Sequence, residues 1–401
     1  MMSTAVMLIL AGLKSGVPMR TEVRAPLELA ETRPVKIVYY HPSDLPPFPG
    51  YEARLNKTLR YVENWYAENM AKNGFGRMTF RMDRDATGKL NIVYAKGELP
   101  LASHGREKRE ATESIHRIVR EAGKAAGYDP DKETVLVVSN MLVWKDGKTT
   151  EVGPFYGSGS TRSGECWVFD DPMIDPDRIP SKEPGGWYGD RAISIGKFNT
   201  TYIGGIAHEL GHCFGLPHEG ETPEEHETKG TGIMGPGNHT FMEQLRGEGR
   251  GTFMTMATAF PLSLHPCFVP GKPAAAPDGR TLSIADLKVD KVDRGALEIT
   301  GRITATPAVV GIVGYDDPDS RNDDDSHTAV VKPRADGSFS LRLPPPVPGR
   351  GSGQYSLRLS FYHADGEPTR RAASFRRETD MSAPLASITE QLQQPRTRRR
   401  G

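Results

Sequence analysis

The sequence predicts an α+β domain followed by an all-β sandwich. In residues 34–269, patterns typical of strands alternate with patterns typical of helices, which indicates layers of sheet and helix around one core. A stretch rich in proline and alanine follows at residues 270–279 and is typical of a linker. Residues 280–379 then show short strand-like runs separated by turn signals, as in an all-β domain.

Length and charge are compatible with this division. The chain has 401 residues, and at about 150 residues per domain this length suggests two or three domains. Lys plus Arg and Asp plus Glu both number 51, so the formal charge is zero. Since non-specific nucleic-acid binding needs a basic excess, we expect no nucleic-acid partner.

The N-terminal segment, residues 1–33, contains the longest apolar run, residues 5–13. The run is too short to span a bilayer, so we expect no transmembrane segment. Its length suits the apolar core of a signal peptide, which predicts a secreted or cell-envelope (periplasmic) protein. No Lys or Arg precedes the run and no clear cleavage site follows it. A cytoplasmic location therefore stays open.

The first domain alternates elements in order. Residues 35–40 and 134–139 read as buried strands, and residues 51–72 and 109–127 read as helices. A loop-rich stretch follows. A further helix is predicted from residue 201 to 214, with Asn199 or Thr200 as its cap.

This last helix carries the segment that contains the chemistry. His208 and His212 are four residues apart, so on a helix both imidazoles share one face and can bind one metal ion. Glu209 can reach a water held on that metal. Gly215 allows the chain to reverse, which brings His218 back towards the same ion. Three imidazoles with an open fourth position predict a catalytic Zn²⁺ site.

Chance is a poor explanation of this pattern. A bare HExxH would arise in roughly one chain in fifty of this composition, whereas the full HExxHxxGxxH would arise in about one in 20,000. We therefore predict His208, His212 and His218 as metal ligands and Glu209 as the catalytic residue.

The segment 208–218, together with Met234 in a Gly-Ile-Met-Gly sequence, resembles the metzincin clan of zinc metalloendopeptidases. The resemblance implies a mixed sheet over an active-site helix, with Met234 as the Met-turn floor beneath the metal. It also implies that Glu209 serves as general base and then general acid. Glu219 follows the third histidine as in astacins, but the Met-His-Tyr of that family is missing, so no subfamily is assigned.

Metzincins bind their substrate as an added antiparallel strand. The resemblance therefore implies a protein or peptide substrate bound in extended form, along a sheet edge that we expect within residues 153–170. A second donor to the oxyanion is expected, with Tyr188 and His239 as weak candidates.

Weaker signals have simpler interpretations. The glutamates of residues 219–227 could bind Ca²⁺ or basic substrate side chains, but a solvated loop is favoured. The aspartates of residues 316–326 lack the EF-hand spacing, which leaves Ca²⁺ weakly supported. His226 is a less favoured alternative to His218. For Cys213, packing or a disulfide to Cys267 is predicted.

In the second domain about seven short strands predict an immunoglobulin-like sandwich. Residues 380–401 end in a basic run and are predicted to be a flexible tail. The leading functional hypothesis is a zinc metalloendopeptidase. The alternatives are a zinc-stabilised binding or adhesion protein with a vestigial site, and a zinc hydrolase acting on a non-peptide bond. The sequence predicts no particular oligomeric state.

Overall fold

The computed structural model describes residues 32–105, 108–274, 279–318, 325–346 and 352–394. The apolar run predicted as the core of a signal peptide lies outside these residues, as does the end of the predicted tail. Within the described ranges, no helix has both the length and the apolar character needed to cross a membrane.

The N-terminal region, up to residue 274, alternates strands and helices. Its strands are β1 (Lys36–His41), β2 (Ile92–Lys96), β3 (Thr134–Ser139), β4 (Leu142–Lys145), β5 (Lys148–Glu151), β6 (Tyr156–Gly159), β7 (Gly164–Phe169), β8 (Pro184–Tyr188), β9 (Arg191–Ser194), β10 (Thr231–Gly232) and β11 (Thr252–Phe253). Its helices are α1 (Tyr51–Lys72), α2 (Arg109–Ala125), α3 (Ile195–Cys213), α4 (Pro223–Lys229) and α5 (Met256–Leu262). The predicted strands at 35–40 and 134–139 and helices at 51–72 and 109–127 are present, within two residues at each end.

The main sheet of this region is mixed, as expected. Its strand order is β2-β1-β3-β7-β6. Strands β1, β2, β3 and β7 pair in parallel, whereas β6 pairs antiparallel with β7 at the edge. All six residues of β3 are buried, which is typical of a strand covered on both faces. The edge strand β6 lies within the predicted edge region, residues 153–170.

Helix α3 begins at Ile195 rather than at residue 201. The hydroxyl of Ser194 accepts a hydrogen bond from the Lys197 amide over 3.0 Å and caps the helix. Both predicted caps, Asn199 and Thr200, lie inside the helix. The side-chain oxygen of Asn199 accepts from the Asp175 amide over 2.7 Å. The prediction of the cap was wrong because a distant loop, which is not visible in the local sequence, satisfies the Asn199 side chain.

Packing in the core holds α3 against α1. The Tyr66 hydroxyl on α1 donates to the backbone carbonyl of Ala207 on α3 over 2.7 Å. The rings of Phe80, Phe214 and Phe268 surround Tyr66 at centroid separations of 5.3, 6.3 and 5.9 Å. Buried aromatic pairs of this kind add stability beyond their buried area, so α3 is a rigid support for the site it carries.

The three cysteines are buried and form no disulfide. The Cys213 sulfur lies 3.8 Å from the carbonyl oxygen of Val135, and the Cys267 sulfur lies 3.6 Å from the Thr134 hydroxyl. The proposed disulfide between Cys213 and Cys267 is therefore wrong, and the alternative, packing, describes both residues.

The C-terminal region consists of two antiparallel sheets. Its strands are β12 (Thr281–Lys291), β13 (Leu297–Thr306), β14 (Val309–Pro318), β15 (His327–Val331), β16 (Ser338–Arg342), β17 (Gly353–His363) and β18 (Pro368–Arg377). One sheet has the order β12-β13-β16 and the other β15-β14-β17-β18. Ile299 and Leu341 from the first sheet and Ile312, Leu357 and Phe361 from the second are buried in one shared core.

The segment predicted as a flexible tail contains a helix, α6 (Leu385–Gln393). Ile388 and Leu392 on α6 are fully buried in the core of the C-terminal region. The prediction of flexibility for residues 380–401 therefore does not hold for α6, because these two apolar side chains pack against the sheets. Residues 395–401, with the basic run, lie outside the described residues.

The two regions meet through α5 and the outer face of the four-stranded sheet. Ala257 and Phe260 on α5 are buried with Val313, Tyr315 and Tyr362 in a separate apolar cluster. The rings of Phe260 and Tyr362 form an edge contact at a centroid separation of 5.9 Å. This contact places the sheet beside the end of α3.

Candidate active site

The structure brings together the three histidines that the sequence singles out. The Nε2 atoms of His208 and His212 lie 3.0 Å apart. The Nε2 atom of His218 lies 3.2 Å from that of His208 and 2.9 Å from that of His212. Among the described residues, this trio forms a group of donor atoms close enough to hold one metal ion.

The backbone sets the tautomers of the first two rings. Nδ1 of His208 lies 2.6 Å from the Ile233 carbonyl oxygen, and Nδ1 of His212 lies 2.8 Å from the Leu216 carbonyl oxygen. A carbonyl oxygen only accepts, so in each neutral ring the proton is on Nδ1. Each Nε2 therefore presents a lone pair to the centre of the trio, which is the arrangement of metal-binding histidines with a backbone partner.

Burial keeps these two rings uncharged. It lowers the pKa of His208 to about 3, with the charge of His212 acting in the same direction. It lowers the pKa of His212 to about 4. At neutral pH both rings are therefore neutral, and their facing lone pairs repel one another unless a cation lies between them.

The donor set fits zinc. Tetrahedral zinc with nitrogen ligands at about 2.0–2.1 Å separates those nitrogens by about 3.3 Å. The observed separations of 2.9–3.2 Å are only slightly smaller. Three neutral imidazoles are also the protein ligands of zinc sites that leave a fourth position for water or substrate.

The turn after α3 explains how His218 returns to the trio. Gly215 has a φ of 85°, a conformation that is costly for other residues. Its amide donates to the His212 carbonyl oxygen over 2.8 Å, and the Leu216 amide donates to the Gly211 carbonyl oxygen over 3.1 Å. These bonds end the helix and reverse the chain within three residues, as the sequence predicts.

Glu209 lies next to the trio and is partly buried. Burial raises the pKa of its carboxyl group to about 7, and a hydrogen bond from the Gly157 amide acts against this rise. The Gly157 amide belongs to the edge strand β6, so strand and acid are held together. A carboxyl group with a pKa near neutrality can accept and release a proton at physiological pH.

The sequence analysis did not identify Gly157 as a site residue. A Cβ atom at this position would collide with the Glu209 carbonyl oxygen and would lie 2.9 Å from the His212 Cβ. The backbones of strand β6 and helix α3 are therefore in direct contact where the two elements cross. The Gly-Ser-Gly sequence of residues 157–159 is the signal that could have indicated this close approach.

Met234, which the sequence analysis predicts as the Met-turn residue, packs against α3. It is fully buried, and its sulfur packs against Gly211, on α3 beside the second histidine. Its carbonyl oxygen accepts from the Glu219 amide over 3.2 Å, which connects it to the residue that follows the third histidine.

The two weak candidates for an oxyanion donor are neighbours. The rings of Tyr188 and His239 make an edge contact at a centroid separation of 5.5 Å. His239 is also close enough to His208 for its charge to add to the lowering of the His208 pKa, in which burial is the largest cause. Tyr188 is therefore connected to the histidines through its contact with His239.

The acidic segment after the third histidine is not a solvated loop throughout. Glu219 is buried, and burial raises the pKa of its carboxyl group to about 7 against hydrogen bonds from three threonines. Glu225 forms a capping box with Thr222 at the start of α4. His226 lies 2.8 Å from a Glu221 oxygen and outside the trio. The segment differs from the predicted solvated loop because part of it forms a helix and because threonines far along the chain bind Glu219. The local sequence pattern shows neither feature.

Two of the aspartates weakly predicted to bind Ca²⁺ form ion pairs with arginines. Asp316 pairs with Arg377 at 2.5 Å and Asp317 with Arg358 at 2.9 Å. Residues 319–324 lie outside the described ranges. The carboxylates of Asp316 and Asp317 therefore have cationic partners within the fold.

Solved structures of OgpA from Akkermansia muciniphila share this fold. Two structures of the wild-type protein match with TM-scores of 0.71 and 0.72 and 23% and 24% identity, covering 91% and 90% of this chain and 96% and 97% of theirs. A third, of catalytically inactive OgpA in complex with an O-glycopeptide substrate, glycodrosocin, matches with a TM-score of 0.70 and 24% identity, covering 91% and 96%. No protein-family model and no curated protein matches the chain. The likeness establishes a common fold across both regions.

Proposed function

We propose that this protein is a zinc-dependent endopeptidase. The observation that carries the proposal is the convergence of three Nε2 atoms within 3.2 Å of one another, with Glu209 directly after the first of these histidines on α3. His208, His212 and His218 would hold the metal. When bound, zinc supplies Lewis-acid chemistry, since it lowers the pKa of a coordinated water and polarises a carbonyl group.

Glu209 performs the proton transfers in this proposal. Its carboxylate takes a proton from the attacking water and then donates it to the nitrogen of the departing amine, so one group serves as base and as acid. Gly157 on the edge strand β6 lies against the backbone of Glu209, so the strand and the residue that carries this carboxylate are in contact. Tyr188 and His239 are the proposed donors to the carbonyl oxygen as negative charge develops on it.

The proposed substrate is a peptide in extended form along β6. This strand is the edge of the mixed sheet and is hydrogen-bonded to β7 on one side. Its other side can pair with an added antiparallel strand. Since β6 crosses directly over α3 at Gly157, a peptide on this edge lies beside the histidines.

O-glycopeptides are the first substrate class to assay. Two observations support this choice. This chain shares its fold with OgpA over nine-tenths of its length, and one OgpA structure is a complex with an O-glycopeptide substrate. Unmodified peptides of the same sequence are the necessary comparison, because the edge strand alone would recognise backbone rather than sugar.

Two finer sequence predictions belong to the same proposal. The seven strands in sheets of three and four support an immunoglobulin-like sandwich for the C-terminal region. The apolar run at residues 5–13 supports export from the cytoplasm.

The test combines metal analysis with cleavage assays on the wild-type protein and Glu209→Gln. Both proteins should contain one zinc per chain, because Glu209 is not a ligand. Cleavage by Glu209→Gln should fall by at least about a hundredfold, since it lacks the group that moves the proton. Unimpaired cleavage by this variant would overturn the proposed role of Glu209.

A second pair of variants tests the ligand set. His218→Ala should lose zinc, because it removes one of three donors. His226→Ala is the matched control, since His226 lies outside the trio beside Glu221, and it should retain zinc and activity. Zinc retention in His218→Ala with loss in His226→Ala would show that the ligand set is wrong.

A further inference from the structure

A cavity of about 320 Å³ lies between the histidine site and the C-terminal region. One side is formed by Gly157 to Gly159 at the end of β6, by His212, and by the turn from Gly215 to Pro217. The other side is the outer face of the four-stranded sheet. The C-terminal region therefore forms a wall of the space next to a proposed metal ligand.

Strand register shows which side chains form that wall. Arg358, Ser360 and Tyr362 alternate along β17 and point to one face. Their cross-strand neighbours on the same face are Tyr315 on β14, opposite Arg358, and Arg370 on β18, opposite Ser360. All five line the cavity and contribute two guanidinium groups and three hydroxyl groups, and Arg371 lines it as well.

The two arginines differ in their partners. Arg358 pairs with Asp317 at 2.9 Å and its guanidinium carbon lies 5.1 Å from the centroid of the Tyr315 ring. Arg370 is exposed to the cavity and has no carboxylate within ion-pair distance among the described residues. Arg371 also lines the cavity, but it is buried and donates to the carbonyl oxygens of Arg370 and Leu282 over 3.2 and 3.5 Å. Arg370 is therefore the exposed positive charge of the wall that no described carboxylate neutralises.

Neighbouring hydroxyl groups add hydrogen-bond donors to this charged wall. Tyr362 and Arg370 lie on the same face of neighbouring strands, in adjacent positions of the register, and both line the cavity. Burial raises the pKa of Tyr362 to about 12, and the charge of Arg370 acts in the opposite direction. The Tyr362 hydroxyl is therefore protonated at neutral pH and available as a donor. A guanidinium group flanked by hydroxyl donors is suited to a carboxylate, which it can bind through two parallel hydrogen bonds.

The direction of β6 places the cavity relative to the scissile bond. An antiparallel substrate runs from the Gly159 end of β6 towards the Tyr156 end. Gly157 lies against the backbone of Glu209 and beside His212 on α3, whereas Gly159 lies against the turn at Gly215, which forms the cavity together with the sheet wall. Substrate residues that reach the cavity therefore precede the scissile bond.

We propose that this cavity is a subsite for a carboxylate on the N-terminal side of the scissile bond, with Arg370 as its principal partner. The inference rests on the proposed peptidase function. The carboxylate comes either from an Asp or Glu side chain or from an acidic sugar on a glycosylated residue, since both present the same planar anion.

Substrate pairs that differ only in this charge provide the test. One series places Glu or Gln at each of the three positions before the cleaved bond, and a second carries an acidic sugar or its neutral counterpart at the same positions. For one of the pairs, the wild-type protein should cleave the anionic substrate with a kcat/KM about tenfold higher than that for the neutral substrate. This difference is expected for a charge-assisted hydrogen bond. The series that shows the preference identifies the source of the carboxylate.

Variants then assign the preference to Arg370. Arg370→Gln should reduce the ratio of kcat/KM for the anionic substrate to that for the neutral one to near one. Arg370→Lys should retain part of this preference, because lysine keeps the charge without the planar guanidinium group. Arg376→Gln is the matched control, since Arg376 is a solvent-exposed arginine on the same strand with Glu378 as its partner at 3.7 Å. It should leave the ratio unchanged. A preference that persists in Arg370→Gln would overturn the proposal, as would its absence from both series.

Binding of the same pairs to Glu209→Gln protein separates this inference from the proposed function. If the wild-type protein cleaves no peptide or glycopeptide, the endopeptidase assignment is wrong. The subsite is then judged from binding affinity. It is supported if Glu209→Gln binds the anionic member of a pair more tightly than the neutral member, and if this difference disappears when Arg370→Gln is added. Equal affinity for both members of every pair would overturn the subsite in either case.

Discussion

Glu219, the residue after the third histidine, accepts a hydrogen bond from the Thr328 hydroxyl of β15 over 3.2 Å. Its other carboxylate oxygen accepts from Thr255 and Thr258 at the start of α5. One buried acid therefore joins the turn that carries His218 to both regions of the protein. The geometry of the third histidine depends on the C-terminal region through this carboxylate.

Thr328→Val tests this connection. Valine has nearly the same shape but donates no hydrogen bond, so one oxygen of a buried carboxylate loses its partner. We expect the free energy of unfolding to fall by about 1–3 kcal/mol, measured by urea denaturation. Thr304→Val, at an exposed position on β13, is the control and should change stability by less than about 0.5 kcal/mol. Equal losses in the two variants would refute the role of the bond.

Gly157→Ala tests the close crossing of β6 and α3. The added methyl group would collide with the Glu209 carbonyl oxygen, so the strand must move away from the helix. Because small displacements of a bound substrate are costly, we expect kcat/KM to fall by about ten- to a hundredfold, together with a lower Tm.

Gly232→Ala is the matched control for this substitution. A Cβ atom at Gly232 would meet its nearest neighbour at 3.5 Å, which is ordinary van der Waals contact. Its Tm and kcat/KM should stay close to those of the wild type. Full activity of Gly157→Ala would show that the crossing does not position the substrate strand.

Because His265 is buried, we expect the protein to lose stability in acid. The ring is buried, with Nε2 3.2 Å from the Ser160 carbonyl oxygen and Nδ1 accepting from the Cys267 amide over 3.1 Å. Burial lowers its pKa to about 3, from 6.5 in the unfolded chain. Between these values the unfolded state binds more protons, so the contribution of His265 is complete above about pH 6.5 and decreases as the pH falls towards 3.

At pH 5 the expected loss from this histidine is about 2 kcal/mol relative to neutral pH. His265→Gln offers one donor and one acceptor but does not titrate, so its unfolding free energy should decrease less between pH 7 and pH 5. His226→Gln changes an exposed histidine and should retain the wild-type dependence on pH. If His265→Gln shows the same acid sensitivity as the wild type, another group is responsible.

Much of the site is predictable from the sequence because its parts are close along the chain. His208 and His212 meet through helical spacing, and Gly215 reverses the chain so that His218 meets them within one further turn. Periodicity likewise predicts α1 and the fully buried β3 within two residues. Each of these features depends on backbone geometry over a few residues, which local sequence determines.

The features that the sequence missed depend on partners far along the chain. Asn199 was predicted as a cap but bonds to the amide of Asp175, and Cys267 packs beside Thr134 instead of forming a disulfide. Glu219 was assigned to a solvated loop, yet Thr328, more than a hundred positions away, donates to it. No local pattern encodes such pairings.

The sequence by itself therefore determined that three histidines converge, through the spacing of a helix and its turn, and it predicted Glu209 beside them as the catalytic residue. Tertiary structure alone decided that β6 touches α3 at Gly157 and that Glu219 is buried between two regions. It also decided that Arg370 faces the cavity beside His212. The physical reason is that ligand spacing is a property of one continuous segment, whereas burial and a shared cavity arise only when distant segments pack together.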